Sequence, residues 1–220
     1  MMESTVIFGV GELAQLAGIY FSRDSPYRVA AYTVHERYLK ERSFMGLPVV
    51  PFEGITSSHP PESFSMFVAV GYTGLNHGRA RVYQQCRAWG YRLVSYLNSR
   101  TISWGEIELG DNCFIFEANV IQPFVTIGAD TIVWSGNFIG HHTRIGEHCF
   151  IASNATISGK IQIGPYCFIG ANATLRDGIA LAPRTVVGAG AIILHDTVEG
   201  AVYKGLESRP GPKGWDEVKL

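Results

Sequence analysis

The sequence predicts a small α/β unit followed by an all-β coil of six-residue repeats, and three observations lead there. Fifteen consecutive positions spaced six apart, from Leu109 through Ile115, Ile139 and Ile163 to Ile193, are all aliphatic. A helix demands spacings near 3.6 and a plain strand a period of 2, so a beat of six marks a parallel β-helix. The chain opens on "TVIFGVGELAQLAG", a β-branched run, a glycine turn and the start of a helix, and mixed patterning lasts until about residues 96 to 107, where the strict beat begins.

In chain order, "TVIF" is the first strand and the segment after "GVG" the first helix. "YRVAAYTV" is the second strand, "MFVAVGYTGLNHGRARVYQQCRAWG" a third strand with its helix, and "YRLVSYL" a fourth strand of what should be a parallel sheet. We therefore expect residues 1–100 to form a small Rossmann-like domain, residues 101–200 the coil, and residues 201–220, rich in Gly, Pro and charge, a cap on the open coil end and a loose tail. Within the coil, pairs such as Ile127-Gly128, Ile139-Gly140 and Ile163-Gly164 set an inward anchor beside a residue that accepts tight backbone conformations. The unbroken register excludes a long extruded loop between 109 and 193, which leaves any site in the coil on its flat surface.

Composition narrows the function classes. With 220 residues, 46% hydrophobic and 17% charged, the chain can bury a real core, and 18 basic against 19 acidic residues leave no field to hold a nucleic-acid backbone or an anionic membrane. A small-molecule partner is expected. No secretory start or membrane-length apolar run is present, so a cytoplasmic location is expected. Cys113, Cys149 and Cys167 are read as small reduced interior residues.

The opening glycines and the histidines are the candidate chemistry. In "GVGELA", Gly9 and Gly11 allow a backbone to approach a phosphate at the start of a helix, with Glu12 as its first residue, and Gly71 follows the third strand. The second strand ends at Thr33 or Val34 where a dinucleotide site would carry an acid. In "FIGHHTRIG", His141 stands two residues past the inward anchor Ile139 and should leave the turn outward. His142 follows it.

The uninterrupted hexads after a glycine-turn α/β domain resemble the hexapeptide-repeat acyltransferase superfamily, and within it the NeuD/PglD-type sugar acyltransferases. The resemblance implies a left-handed coil with three hexads per turn, about five turns in all, so that residues 18 apart stack at roughly 4.8 Å. Phe114, Ile132, Phe150, Phe168 and Val186 then share one apolar column, and the three coil cysteines share another. His148 joins Asn112, Asp130, Tyr166 and Arg184 in a polar turn column and is read as structural. His195 shares the column of His141 three coils away, about 14 Å, too far to pair.

The same resemblance implies transfer of an acetyl group from acetyl-CoA to an amino or hydroxyl group of a sugar, often nucleotide-linked, in surface-polysaccharide or glycoconjugate synthesis. It makes His141 the general base in an Ile-x-His turn, with His142 in support where some relatives carry a glutamate. It also implies a homotrimer whose pantetheine groove passes small residues, here Gly159, Ala171 and Ala189, and it places the nucleotide-sugar against Gly9, Gly11, Glu12 and Gly71. No metal is expected: counting back 36 from His141, His142 and His148 reaches Gly105, Glu106 and Asn112, so the histidine trio of a zinc-binding hexapeptide coil is missing. A non-catalytic trimeric nucleotide-sugar-binding or scaffold protein is the alternative.

Overall fold

The computed structural model describes residues 3–105 and 107–207, so the part of the expected tail beyond Glu207 lies outside the described residues. The first unit is built on β1 (Glu3–Phe8), whose Val6 and Ile7 are fully buried between two parallel partners. These are β2 (Tyr27–Val34) and β5 (Ser65–Val68). Helix α1 (Glu12–Arg23) covers one face through Ala14, Ala17 and Phe21. Helix α3 (His77–Ala88) covers the other through Val82, Tyr83 and Cys86. A short helix α2 (Ile55–Ser58) precedes β5.

Two expectations for this unit are corrected. The sheet has the order β3-β4-β2-β1-β5, because β4 (Leu47–Pro51) adds in parallel to β2 and folds back on β3 (Ser43–Phe44) as an antiparallel edge hairpin. Its two prolines disguise it in the sequence. They are tolerated because Pro48 faces only the two-residue edge strand and Pro51 ends the strand, where few ladder bonds are lost. The second correction concerns "YRLVSYL". Leu93 makes a single bridge to Met66, and the chain then leaves the sheet, so that Tyr96–Leu97 pairs with Phe114–Ile115 as the first strand of the coil. The Tyr96 ring accordingly packs 5.4 Å from Phe114.

The coil is a left-handed parallel β-helix of two-residue strands in which each strand pairs with the one eighteen residues on, as Phe138–Ile139 does with Thr156–Ile157. Three sheets of seven, six and five strands form its faces, and Val202–Tyr203 adds the last strand. All fifteen hexad positions occupy the second place of a strand and point inward; with Cys113, Cys149 and Cys167 they fill the coil, and the four cysteines are free thiols.

Each Ile-Gly pair has a different cause from the one the sequence suggests. The φ of these glycines is not left-handed; that conformation falls two residues later, at Asp130, His142, His148 and Tyr166. Glycine is required after the anchor because a Cβ at Gly140 would stand 2.5 Å from the backbone nitrogen of Gly159, and one at Gly128 2.6 Å from that of Glu147. The coils stack too closely there for any side chain.

The three outer faces differ. The column Phe114, Ile132, Phe150 and Phe168 is covered by the α/β unit through Phe21, Phe67 and Tyr72. A second face presents Glu108, Thr126, Arg144, Gln162 and Ala180, and is polar. The third presents Ile102, Val120, Phe138, Thr156, Thr174 and Ile192 and has no charge at all. Ile102 and Ile192 on it are 59% and 66% exposed, a cost in water that asks for a cover.

One polar knot fastens the two units. Arg79 on α3 is wholly buried and donates to Asp130 Oδ1 (3.1 Å), to the carbonyls of Asp130, Cys149, Val70 and Gly71, and to Asn76 Oδ1. Asp130 also accepts from Asn112 Nδ2 and from His148 Nδ1, each at 2.7 Å. The polar turn column read from the sequence is thus the seat of a buried guanidinium.

Candidate active site

The histidine pair stands on the coil edge between the apolar face and the polar face. Ile139, fully buried, fixes where the turn begins, and Thr143 fixes where it ends by donating to the Ser158 carbonyl (3.0 Å) and accepting from the Ile161 amide (3.3 Å). Between them the backbone of His141 is held on both sides. Its amide donates to Gln122 Oε1 (2.9 Å), and its carbonyl accepts from the Lys160 amide (2.7 Å). His142 takes the left-handed turn position at φ 59. Its ring is covered on one side by Phe124, 4.6 Å away and itself 73% exposed.

The two imidazoles meet at right angles with their Nδ1 atoms 3.0 Å apart. One of these atoms must donate and the other accept. When His141 donates, its Nε2 keeps the lone pair, which is the form a proton acceptor needs. That Nε2 lies 3.0 Å from the point a Cβ would occupy at Gly159, and Oδ1 of Asp177 lies 3.0 Å from the same point. His141, Gly159 and Asp177 form one column at successive coils, and the missing side chain in the middle leaves a notch flanked by an imidazole and a carboxylate.

In the α/β unit, Gly9, Gly11, Glu12 and Gly71 gather at the carboxyl ends of β1 and β5. There the order of strands reverses direction, the usual place for a ligand in such sheets. Gly9 needs to be glycine, with φ 124 and a Cβ that would press to 2.8 Å against the Ala69 carbonyl. Gly11 and Gly71 face open space, and Gly11 is the N-cap of α1, whose first residue Glu12 is exposed. Beside them opens a cleft of about 250 Å³ lined by Val10, Val34, Tyr38, Lys40 and Phe44. Thr33 takes no part in it, since its hydroxyl is buried and donates to the Val50 carbonyl (2.9 Å). No group of three metal-ligating side chains occurs among the described residues. No described helix is long and apolar enough to cross a membrane.

Residues 142–177 match the family model "Bacterial transferase hexapeptide (six repeats)", and residues 160–195 match "Hexapeptide repeat of succinyl-transferase". Residues 142–195 of the coil are hexapeptide repeats of the kind these two models describe. Comparison with curated proteins by sequence finds no match. Among solved structures, a histidine-to-asparagine mutant of perosamine N-acetyltransferase from Caulobacter crescentus, in complex with CoA and GDP-perosamine, has a TM-score of 0.81 at 22% identity, with 93% of this chain and 95% of that chain covered. WeeI from Acinetobacter baumannii gives 0.76 at 16% identity over 91% and 95%. The acetyltransferase domain of PglB from Neisseria gonorrhoeae, in complex with acetyl coenzyme A, gives 0.67 at 20% over 93% and 97%. At these identities the likeness establishes the shared fold of both units.

Within the hexapeptide coil the expected pantetheine residues separate. Gly159 adjoins His141, whereas Ala171 and Ala189 stand on the edge at the far margin of the apolar face, so a single chain does not bring them together. Sequence reasoning missed Gln122, Phe124 and Asp177. The stacking rule places Asp177 at 36 residues past His141 and Phe124 at 18 before His142, and applying it to those columns would have found both.

Proposed function

We propose that this protein is an acetyl-CoA-dependent sugar acetyltransferase that acylates an amino or hydroxyl group of a nucleotide-linked sugar, with His141 as general base. The observation that carries the reading is the histidine pair: a backbone-clamped imidazole whose Nδ1 is 3.0 Å from a second imidazole and whose Nε2 faces a notch in the coil. His142 accepts the Nδ1 proton and so holds His141 in the tautomer with a free Nε2, the part a carboxylate neighbour would otherwise play. Nε2 takes the proton of the attacking group as it adds to the thioester carbon, and returns it to the departing thiolate.

In this reading residues 1–100 hold the nucleotide, with Gly9, Gly11, Glu12 and Gly71 around the diphosphate and the neighbouring cleft for the rest. Residues 101–200 carry out the transfer, and residues 201–207, through the Val202–Tyr203 strand, cap the coil end. The uncharged face supports a homotrimer. Its two margins bear His141 with Gly159 and Ala171 with Ala189, so packing these faces between copies places small residues of one copy near the histidine edge of the next, as a pantetheine groove requires. We assign the protein to the cytoplasm and to the synthesis of surface polysaccharide or glycoconjugate, where acetyl-CoA and sugar nucleotides meet.

The test is release of free thiol from acetyl-CoA in the presence of nucleotide-linked amino sugars, beginning with GDP-perosamine, and their hydroxyl counterparts. Release that depends on the sugar is the expected result. Tight binding of the sugar nucleotides with no thiol released would favour a scaffold or binding protein instead.

A further inference from the structure

We infer that Asp177 selects an amine over a hydroxyl as the acceptor, by facing the attacking atom across the Gly159 notch; this rests on the acetyltransferase reading above. Asp177 is exposed and has no hydrogen bond or ion pair among the described residues, although Arg176 and Lys160 are near it in sequence or on the adjacent coil. Its Oδ1 and His141 Nε2 are each 3.0 Å from the position of an absent Cβ at Gly159. An acceptor atom outside Gly159 is therefore within reach of both groups. Any side chain at position 159 would part them.

The charge at that place decides between acceptors. An amine attacking a thioester develops positive charge on nitrogen as the C–N bond forms, and an anion beside it stabilises that state more than the free reactant. A hydroxyl losing its proton develops negative charge on oxygen, which the same anion opposes. The carboxylate also attracts the ammonium that an amino sugar carries at neutral pH. After one proton is lost to solvent, the nitrogen lone pair bonds to the carbonyl carbon and the C–S bond breaks. The second proton passes through His141 Nε2 to the thiolate, which leaves as CoA thiol.

The experiment compares wild type, Asp177→Asn and Asp177→Glu with GDP-perosamine and with the same sugar nucleotide bearing hydroxyl in place of the amine. For the amine, Asp177→Asn should lower kcat/KM by about ten- to a hundredfold, the effect of losing one charge-assisted contact, and Asp177→Glu should restore part of it. The KM for acetyl-CoA and the inhibition constant of the hydroxyl compound should be the same in wild type and Asp177→Asn. A merely structural carboxylate would shift all of these together. Acetylation of the hydroxyl compound by wild type, or unchanged kcat/KM for the amine in Asp177→Asn, would overturn the inference. Absence of thiol release from wild type with every acceptor would instead remove the acetyltransferase reading beneath it.

Discussion

Replacing Arg79 with methionine should separate the two units energetically. Methionine keeps much of the apolar stem but removes the guanidinium, which now serves six acceptors at 2.8 to 3.4 Å with no exposure to solvent. Burial pulls the Arg79 pKa below its usual value, and the charge of Asp130 opposes that pull. Without Arg79, the buried Asp130 carboxylate keeps only Asn112 and His148, and four carbonyls lose a donor. Breaking a buried pair from one side costs about 3–5 kcal/mol. For a chain of this size that is roughly 6 to 20 °C in melting temperature. Asp130 occupies a left-handed turn position at φ 56, which asparagine also accepts, so Arg79→Met with Asp130→Asn removes both charges without straining the backbone. The double variant should therefore be more stable than Arg79→Met alone. The assay is thermal and urea unfolding of the wild type, both single variants and the double. Arg79→Met melting within a degree or two of wild type, or a double variant that loses at least the sum of the singles, would refute the picture of a charged knot holding α3 to the coil.

Further expectations concern the cleft, the assembly and acid stability. Gly11→Val should fit, because φ at Gly11 is −96 and nothing lies within 4 Å of its Cβ; it should nonetheless abolish the rise in melting temperature that nucleoside diphosphates give to wild type, while acetyl-CoA binding persists. A nucleotide shift that survives the substitution would move that site elsewhere. Light scattering at micromolar concentration should give three times the chain mass, and Phe138→Asp with Ile192→Asp, placed on the uncharged face, should give monomers; a monomeric wild type would contradict a shared site. Asp24 accepts from the Ser99 amide and the Tyr96 hydroxyl, which hold its carboxyl below its ordinary pKa. Its contribution to stability is complete above the ordinary aspartate range near pH 4 and disappears as pH falls through the lower folded value. The stability gap between wild type and Asp24→Asn should thus be widest near neutrality and shrink below pH 4 in urea titrations, and a gap that stays constant would show that the carboxylate charge plays no part.

The coil was legible because a period of six admits one architecture, and every anchor from Leu109 to Ile193 falls where that period puts it. The role of the glycines was not, because the crowding at Gly140 is with Gly159 of the next coil and depends on coil spacing rather than on local conformation. β4 was hidden by Pro48 and Pro51, and Tyr96–Leu97 was assigned to the wrong sheet because a buried strand reads the same in either unit. At the site, the Ile-x-His turn pointed to His141, and the resemblance set His142 beside it in support without saying how. The 3.0 Å approach of the two Nδ1 atoms, which no sequence pattern gives, is what the proposed support rests on. Gln122 reaches the His141 amide from the preceding coil, nineteen residues away, where sequence distance hides the contact.

The central claim is that His141 Nε2 moves the proton and His142 holds it in the right form. Steady-state kinetics of His141→Ala and His142→Ala with acetyl-CoA and an amino-sugar nucleotide test it most directly. General-base loss costs about 10²- to 10⁴-fold, so His141→Ala should lower kcat by that order with molecular mass and acetyl-CoA affinity near wild type, and His142→Ala by roughly tenfold. A dead His142→Ala beside a His141→Ala that keeps most of its turnover would contradict the account.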